Sequence, residues 1–197
     1  MSLILASTSS TRARLLAAAG VTHTSVNPGL DEGPLRAEFQ RQGHSAREIA
    51  QRLAREKAFA LSSRLPGQVI VGADQLLVQN GELFSKPCNL EDAARQLHAL
   101  RGHSHSLISA AALVRDGQVL AEPCTEARLT MRAFSDAFLE AYLRTEGDAI
   151  LGCVGCYHLE GLGAQLFSAI EGDYFTVLGL PLFELLASLR ELGMLQT

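Results

Sequence analysis

Residues 69–78 read VIVGADQLLV, an apolar run interrupted by a single carboxylate, Asp74. Such a run is typical of a buried strand, and the Asn80-Gly81 pair that follows it is a turn signal. A buried carboxylate is costly unless it is paired, binds a metal or faces an open site. Asp74 is therefore the first candidate for a catalytic residue. The alternative is a carboxylate satisfied by backbone donors at a bulge supported by Gly72.

Helices and strands alternate on both sides of this run. At the N-terminal end, a strand at residues 3–6 is followed by a serine-rich loop and a helix, for which Ser10 is a suitable N-cap and Gly20 a stop signal. Ser45 and Glu48 form a capping-box pattern that opens a helix to about residue 62.

Further elements are predicted along the rest of the chain: a helix from Asn89 to Leu100, strands at 107–114, 118–120 and 125–132, a helix capped by Ser135, and a last helix with Pro181 at its first position. Interleaved helices and strands predict an α/β architecture with mixed strand pairing. The sequence contains no linker, so we expect residues 1–197 to form a single domain.

The overall composition excludes several classes of function. A net charge of −4 argues against a broad basic face for nucleic acid, and the absence of Trp with 6% aromatic residues argues against an RNA-binding module. No window approaches the roughly 20 apolar residues of a membrane span. We therefore expect a cytoplasmic protein with neither a nucleic-acid partner nor a membrane partner.

Two lysines are singled out by their scarcity, because the chain has only Lys57 and Lys86 among its 17 basic residues. Lys57 follows Ile49 by eight residues and Leu53 by four, so it lies on the apolar stripe of its own helix and must reach an anion. Lys86 follows the Asp74 strand on a loop. Both positions favour a compact point charge over the planar guanidinium of arginine.

A phosphate site is indicated where the first strand meets the first helix. Ser7 and Arg12 flank this junction, and the free N–H groups of a helix N-terminus favour a phosphate there. The sequence has no P-loop, and its Gly161-Leu162-Gly163 segment lacks the third glycine of a dinucleotide fingerprint.

Cysteine usage points to a reducing compartment. Cys153 and Cys156 have CxxC spacing, but Cys88 and Cys124 are isolated, so a four-ligand zinc site is disfavoured and a redox role is the less favoured alternative. We interpret the four residues as small, largely buried side chains.

The motifs, taken in order, resemble the Maf family of nucleotide pyrophosphatases over nearly the whole chain. They are Leu5-Ala6-Ser7 with Arg12, Asp31-Glu32, Ala54-Arg55-Glu56-Lys57-Ala58, Gly72-Ala73-Asp74-Gln75, Lys86-Pro87, Leu100-Arg101-Gly102 with His105, Glu160-Gly161, and Gly179-Leu180-Pro181-Leu182. The resemblance implies an inosine triphosphatase-like fold: an elongated, twisted mixed sheet flanked by helices, with two lobes around a deep cleft. It also implies hydrolysis of nucleoside triphosphates to a monophosphate and pyrophosphate.

The same resemblance implies roles for individual residues. Asp74 would accept a proton from water, and Glu32 would assist the metal or the water, so these two are also the expected ligands of Mg²⁺ or Mn²⁺. The triphosphate would be held by Ser7, Arg12, Lys57 and Lys86. The family is often homodimeric, so a homodimer is expected.

The base that is recognised is left open between two groups of the family. Thr11, Gln75 and Glu160 occupy the positions that differ between enzymes similar to those acting on thymidine and uridine triphosphate and enzymes similar to those acting on 7-methylguanosine triphosphate. The second group shares the glutamine and the glutamate but usually has Trp where Thr11 stands. A carboxylate at Glu160 can accept hydrogen bonds from a guanine edge. Another possibility is a non-catalytic nucleotide-binding regulator of cell division, because the family has been associated with septum inhibition.

Overall fold

The computed structural model describes residues 3–196. Within that range it contains α-helices α1 Ser10–Ala18, α2 Glu32–Arg41, α3 Ala46–Ser62, α4 Leu90–Leu100, α5 Asp136–Glu146, α6 Tyr174–Val177 and α7 Leu182–Glu191. Two short 3₁₀ segments lie at Gly147–Gly152 and Leu162–Leu166. The strands are β1 Leu3–Ala6, β2 His23–Val26, β3 Val69–Gln79, β4 Glu82–Phe84, β5 Ser104–Arg115, β6 Gln118–Ala121, β7 Cys124–Met131 and β8 Phe167–Glu171.

The strands form one mixed sheet in the order β2-β1-β3-β5-β7-β8, with β4 paired to β3 and β6 to β5. β1 runs parallel to β2 and β3, whereas β3–β4 and β5–β6 are antiparallel hairpins. Their two-residue turns are Asn80-Gly81, the turn predicted above, and Asp116-Gly117, and all four residues have positive φ, as the hairpin turn requires. The predicted α/β class with mixed pairing is confirmed.

Helix α3 packs against β3 at very short range. The buried face of α3 includes the predicted stripe of Ile49, Leu53 and Lys57, together with Ala54 and Ala58. A Cβ atom added at Gly72 would lie 2.0 Å from the carbonyl oxygen of Ala54 and 2.8 Å from the backbone nitrogen of Ala58. Only glycine fits there, and this close approach directs Lys57 at the strand that carries Asp74.

The chain divides into two compact units. The first covers residues 3–75, 108–125 and 174–196, and the second covers residues 76–107 and 126–173. In the first unit, Leu5, Leu16, Val71 and Leu185 belong to one buried cluster that joins β1 and β3 to α1 and α7. In the second unit, α5 stacks Phe138 on Tyr142.

Two predicted helix ends differ from the structure by one residue. The N-cap of α1 is Ser9, whose hydroxyl accepts from the backbone N–H of Arg12, and not Ser10, which is the first helical residue. Pro181 is the N-cap of α7 and not its first residue. Strands β2, β4 and β8 and helices α2 and α6 were not predicted. Among the described residues, no helix is long and apolar enough to cross a membrane.

Candidate active site

The site forms around Asp74, a carboxylate in the middle of β3 that is 5% exposed. One of its oxygens, Oδ1, accepts a hydrogen bond from Nζ of Lys57 at 2.7 Å. The other, Oδ2, is buried and has no hydrogen-bond donor among the described residues. Asp74 is thus held by a cation and not by backbone donors at a bulge, and one acceptor stays open.

Lys57 is shared between two carboxylates. Besides Asp74, its Nζ lies 2.9 Å from Oε2 of Glu32 and donates to the carbonyl of Ala73 at 3.2 Å. An ammonium group has three N–H donors, and these three acceptors account for all of them. Lys57 was predicted to hold the triphosphate; in this structure it holds the two predicted acidic residues.

Glu32 reaches this position because it is the first residue of α2. The side chain of Asp31 caps the helix by accepting from the backbone N–H of Gly33, which fixes where the helix begins. A carboxylate in the first turn is favoured by the helix dipole. The Glu32 side chain is 48% exposed, against 7% for Asp74, so the acidic pair has one buried and one exposed member.

The protonation of Asp74 is governed by opposing effects. Burial raises the pKa of Asp74 above its ordinary value, because the charged form is poorly solvated. The positive charges of Lys57 and Arg12 lower that pKa, and Glu32 raises it again. A carboxylate whose pKa is raised toward neutrality is a better proton acceptor than an ordinary surface aspartate.

Arg12 joins three segments next to Asp74. Its Nε donates to the carbonyl of Gly179 at 2.8 Å, and its Nη1 donates to the carbonyl of Ala73 at 3.0 Å and to the hydroxyl of Ser7 at 3.5 Å. The Ser7 hydroxyl also accepts from the backbone N–H of Ser9 at 3.1 Å. The predicted phosphate loop is therefore connected to the strand of Asp74 through Arg12.

Gln75 is fixed by the segment around α6. Its Nε2 donates to the carbonyls of Thr176 at 2.9 Å and Val177 at 3.0 Å, and lies 3.2 Å from the hydroxyl of Ser109. A Cβ atom at Gly179 would lie 3.4 Å from Oε1 of Gln75, and the φ of +96° at this glycine disfavours other residues. These contacts were not predicted, although Gly179 belongs to a motif noted in the sequence.

The residues predicted to bind the substrate are divided between the two units. Ser7, Thr11, Arg12, Lys57 and Gln75 lie in the first unit with Asp74 and Glu32. Thr11 is half-buried in the first turn of α1. The two others, Lys86 and Glu160, are exposed in the second unit, and both lie close enough to Cys153 to act on the pKa of its thiol.

The oxygen atoms at the site suit a hard divalent cation. Within residues 3–196 there is no group of three or more His, Cys, Asp or Glu side chains that could hold a metal by themselves. Asp74 and Glu32 offer two carboxylates, and Oδ2 of Asp74 has no partner among the described residues. Mg²⁺ is commonly bound by one or two carboxylates together with substrate phosphates.

His105, which lies in a family motif, is a structural histidine. It is 2% exposed, and its Nε2 lies 2.8 Å from the hydroxyl of Tyr157. Burial lowers the pKa of His105 to about 4, so the ring is neutral near pH 7.

Comparison with known proteins gives consistent matches over almost the full length. A model of the family described as Maf-like protein matches residues 2–192. A protein of Jannaschia sp. named nucleoside triphosphate pyrophosphatase 1 is 46% identical over 192 residues, which are 98% of this chain and 97% of that protein. Nucleoside triphosphate pyrophosphatases of Nitrobacter hamburgensis and Nitrobacter winogradskyi are 48% and 50% identical, covering 98% and 95% of this chain and 95% and 92% of their own lengths.

Among solved structures, that of a HAM1 protein from Coxiella burnetii is similar with a TM-score of 0.50. The match covers 97% of this chain and 99% of that chain at 15% sequence identity. At this identity the likeness concerns the fold alone, and it agrees with the mixed sheet flanked by helices.

Proposed function

The chain belongs to the Maf-like protein family, and from this premise we propose that it hydrolyses nucleoside triphosphates between the α- and β-phosphates. The products are a nucleoside monophosphate and pyrophosphate. The enzyme would remove unwanted triphosphates from the nucleotide pool of the cytoplasm.

The observation that carries this proposal is the half-satisfied carboxylate of Asp74. Its Oδ1 is fixed by Lys57, whereas the buried Oδ2 keeps an unused acceptor. A water molecule that donates to Oδ2 would lose its proton to this oxygen as it attacks the α-phosphorus. Arg12, which is held next to Asp74 by the carbonyl of Ala73, contributes a fixed positive charge close to the reacting group.

Lys57 has to exchange partners if it is to contact the triphosphate. Its donors are all engaged by Asp74, Glu32 and Ala73 in this structure. Glu32, the exposed partner, is the one that a phosphate can replace most readily, while the bond to Asp74 keeps the base in place. Lys57 would then link the base to the substrate.

A divalent cation, Mg²⁺ or Mn²⁺, supplies charge that offsets the charge developing on the pyrophosphate leaving group. The carboxylates of Asp74 and Glu32 are the side chains of the first unit that would hold it, together with phosphate oxygens of the substrate. Removal of divalent cations with a chelator should abolish pyrophosphate release, and added Mg²⁺ or Mn²⁺ should restore it.

The bond that is cleaved can be identified by hydrolysis in ¹⁸O-labelled water. Attack at the α-phosphorus places the label in the monophosphate, and attack at the β-phosphorus places it in pyrophosphate. We expect label in the monophosphate alone, detected by mass spectrometry, with pyrophosphate as the second product. Release of inorganic phosphate without pyrophosphate would contradict the proposal.

For the base, the carboxylate of Glu160 in the second unit favours guanine-type substrates, because it only accepts hydrogen bonds. Its two oxygens suit the N1–H and 2-amino donors of guanine, and its charge suits the positive ring of 7-methylguanosine. In the first unit, the amide nitrogen of Gln75 faces two backbone carbonyls, so Oε1 is the Gln75 atom left to contact a ligand. A 7-methylguanosine triphosphate pyrophosphatase is therefore the second candidate function.

The substitution Glu160→Gln tests this choice of base. It turns one acceptor into a donor, so a guanine donor would meet another donor, a mismatch of about 1–3 kcal/mol. Activity on guanine-type triphosphates should fall roughly ten- to a hundredfold, while uridine triphosphate, whose carbonyls accept hydrogen bonds, should lose less. The quantity to measure is the ratio of the two kcat/KM values, and an unchanged ratio would remove Glu160 from base recognition.

The regulator of cell division proposed as an alternative would bind nucleotide without turnover. It would need Arg12 and the lysines but not the open oxygen of Asp74. Nucleotide binding by calorimetry without pyrophosphate release would favour the regulator. The predicted homodimer is tested independently by light scattering on the purified protein.

A further inference from the structure

A second cluster of reactive side chains lies in the second unit, outside the residues used above. Sγ of Cys153 lies 3.1 Å from Nε2 of His158. On the other side of the ring, Nδ1 of His158 lies 3.6 Å from Oε2 of Glu146. The order thiol, imidazole, carboxylate is the order of groups in nucleophile–base–carboxylate triads, in which the carboxylate orients the ring and stabilises its protonated form.

The local backbone creates this arrangement. Glu146 is the last residue of α5. The 3₁₀ segment Gly147–Gly152 comes next, and Cys153 is the first residue after this segment. The backbone N–H of Cys153 donates to the carbonyl of Ile150 at 3.1 Å, which ends the segment. The thiol is half-buried, so small solutes can reach it.

A second thiol, that of Cys156, follows the first by three residues. The backbone N–H of Cys156 donates to the carbonyl of Cys153 at 3.4 Å, which closes a four-residue turn. Such a turn brings its end Cα atoms to within about 7 Å, which overlaps the range that a disulfide spans. Cys156 is fully buried, with its Sγ 3.6 Å from Oε1 of Gln96.

Without a base, neither thiol would be reactive. Burial raises the pKa of the Cys153 thiol, an effect that Lys86 opposes and that Glu160 and Glu146 strengthen. Burial likewise raises the pKa of Cys156 to about 12. At neutral pH both groups therefore rest as thiols, and a thiolate forms at Cys153 only when a neighbouring group takes its proton. His158 is in place to do so.

We infer that Cys153, His158 and Glu146 form a thiol-activating relay, and that Cys153 is the site at which hydrogen peroxide oxidises this protein, with Cys156 as the resolving thiol. The CxxC spacing in the sequence does not show whether a base lies beside either thiol. In the structure, Nε2 of His158 lies beside Sγ of Cys153. Disulfides of this kind in a reducing compartment are transient and serve as redox sensors.

The chemistry balances in two steps. In the first, His158 takes the thiol proton, the sulfur attacks one peroxide oxygen, the O–O bond breaks, and the departing hydroxide takes the proton from His158 to leave as water. In the second, the sulfur of Cys156 attacks the sulfenic acid, the S–S bond forms, and the second water leaves with the Cys156 proton. Two thiols and one peroxide give one disulfide and two waters.

Alkylation rates provide the first test, because the chain contains its own reference. Cys88 is exposed, so exposure alone predicts that it reacts first. With limiting iodoacetamide and peptide mass spectrometry, we expect Cys153 to react at least about tenfold faster than Cys88. His158→Gln should remove this advantage and Glu146→Gln should reduce it, with the rate at Cys88 unchanged as a control for folding. A faster Cys88, or an unaffected Cys153 in His158→Gln, would overturn the relay.

Peroxide treatment provides the second test. In the intact protein we expect one intramolecular disulfide that joins Cys153 to Cys156 and is reversed by dithiothreitol. In Cys156→Ser, the sulfenic acid on Cys153 should persist and be captured by dimedone. Dimedone labelling at Cys88 or Cys124 instead, or a disulfide that omits Cys153, would overturn the assignment. Neither test uses turnover of a nucleotide, so both are independent of the proposed function.

Discussion

Two basic residues of helix α3, Arg55 and Lys57, each form an ion pair with a carboxylate. The two pairs differ in whether both carboxylate oxygens accept a hydrogen bond. Arg55 donates from Nε and Nη2 to both carboxylate oxygens of Glu122, at 2.7 and 2.8 Å. Lys57 reaches only Oδ1 of Asp74, and Oδ2 has no partner among the described residues. In the more exposed pair both carboxylate oxygens have a donor, and we call Arg55–Glu122 the closed pair. In the buried pair, Lys57–Asp74, one oxygen has no donor in the described part of the chain.

Stability alone would favour the opposite arrangement. An unsatisfied acceptor costs little near solvent and much in the interior. The side chains of Lys57 and Asp74 are 6% and 7% exposed, against 35% and 26% for Arg55 and Glu122. The open oxygen at the buried pair is therefore a feature that folding does not explain, and the proposed role of Asp74 as the base would use it. Variants of either ion pair can test this difference.

The largest effect is expected for Asp74→Asn. The amide cannot accept the proton of the attacking water, so kcat should fall by at least about a hundredfold. Circular dichroism and the melting temperature should show an intact fold. Glu122→Gln is the matched control, a carboxylate-to-amide change at the closed pair, and it should keep wild-type kcat. Near wild-type turnover by folded Asp74→Asn would exclude Asp74 as the base.

The second prediction concerns the pH dependence after Lys57→Met. The base accepts a proton only when ionised, so kcat/KM rises with pH through the pKa of Asp74. Burial raises that pKa and Lys57 lowers it, so removing the ammonium should move the rise to higher pH. We also expect kcat/KM near neutral pH to fall at least about tenfold.

The matched control for this pH profile is Arg55→Met, which removes a cation from the same helix. Because Arg55 neutralises Glu122 and not Asp74, the profile should keep its position. If the profiles of Lys57→Met and wild type coincide on the pH axis, Lys57 does not act on the base.

The sequence revealed the two central residues because both break a pattern. Asp74 interrupts an apolar strand, and Lys57 replaces an apolar residue on the buried stripe of its helix. Periodicity could not show that the two meet, because their contact depends on how closely α3 approaches β3 at Gly72. The family resemblance grouped them, and the structure adds that Lys57 is engaged by the acidic residues.

Other features had no signal in the sequence. Helix α2 has no buried residue and contains Gly33 and Pro34 in its first turn, so it lacks the apolar stripe by which helices are recognised. Residues 7–10 are all Ser or Thr, so sequence chemistry alone could not choose Ser9 as the N-cap. The bonds of Gln75 go to carbonyls about a hundred residues later in the chain, which no local pattern encodes.

The third prediction concerns the packing that brings Lys57 to Asp74. Gly72→Ala places a methyl group 2.0 Å from the carbonyl of Ala54, so α3 must move away from β3. We expect the free energy of unfolding to fall by about 1–3 kcal/mol and kcat to fall in the protein that remains folded. Gly152→Ala is the control, since no atom of the described chain outside its own helical segment and chain neighbours lies within 4 Å of the added methyl. Wild-type stability of Gly72→Ala would mean that the close approach is not needed.

The smallest effect on kcat is expected for variants of the closed pair, Arg55–Glu122. This result decides whether the two ion pairs differ in function. Arg55→Met and Glu122→Gln, alone and together, form a double-mutant cycle measured by urea unfolding. The pair is only partly buried, so its coupling free energy should be about 1 kcal/mol or less. All three variants should keep kcat and the pH profile, because Arg55 and Glu122 bond to each other and neither is among the groups that shift the pKa of Asp74. A large loss of kcat with unchanged stability would place Arg55 and Glu122 in the catalytic machinery. The unpartnered Oδ2 of Asp74 would then no longer be a reason to assign the role of base to Asp74.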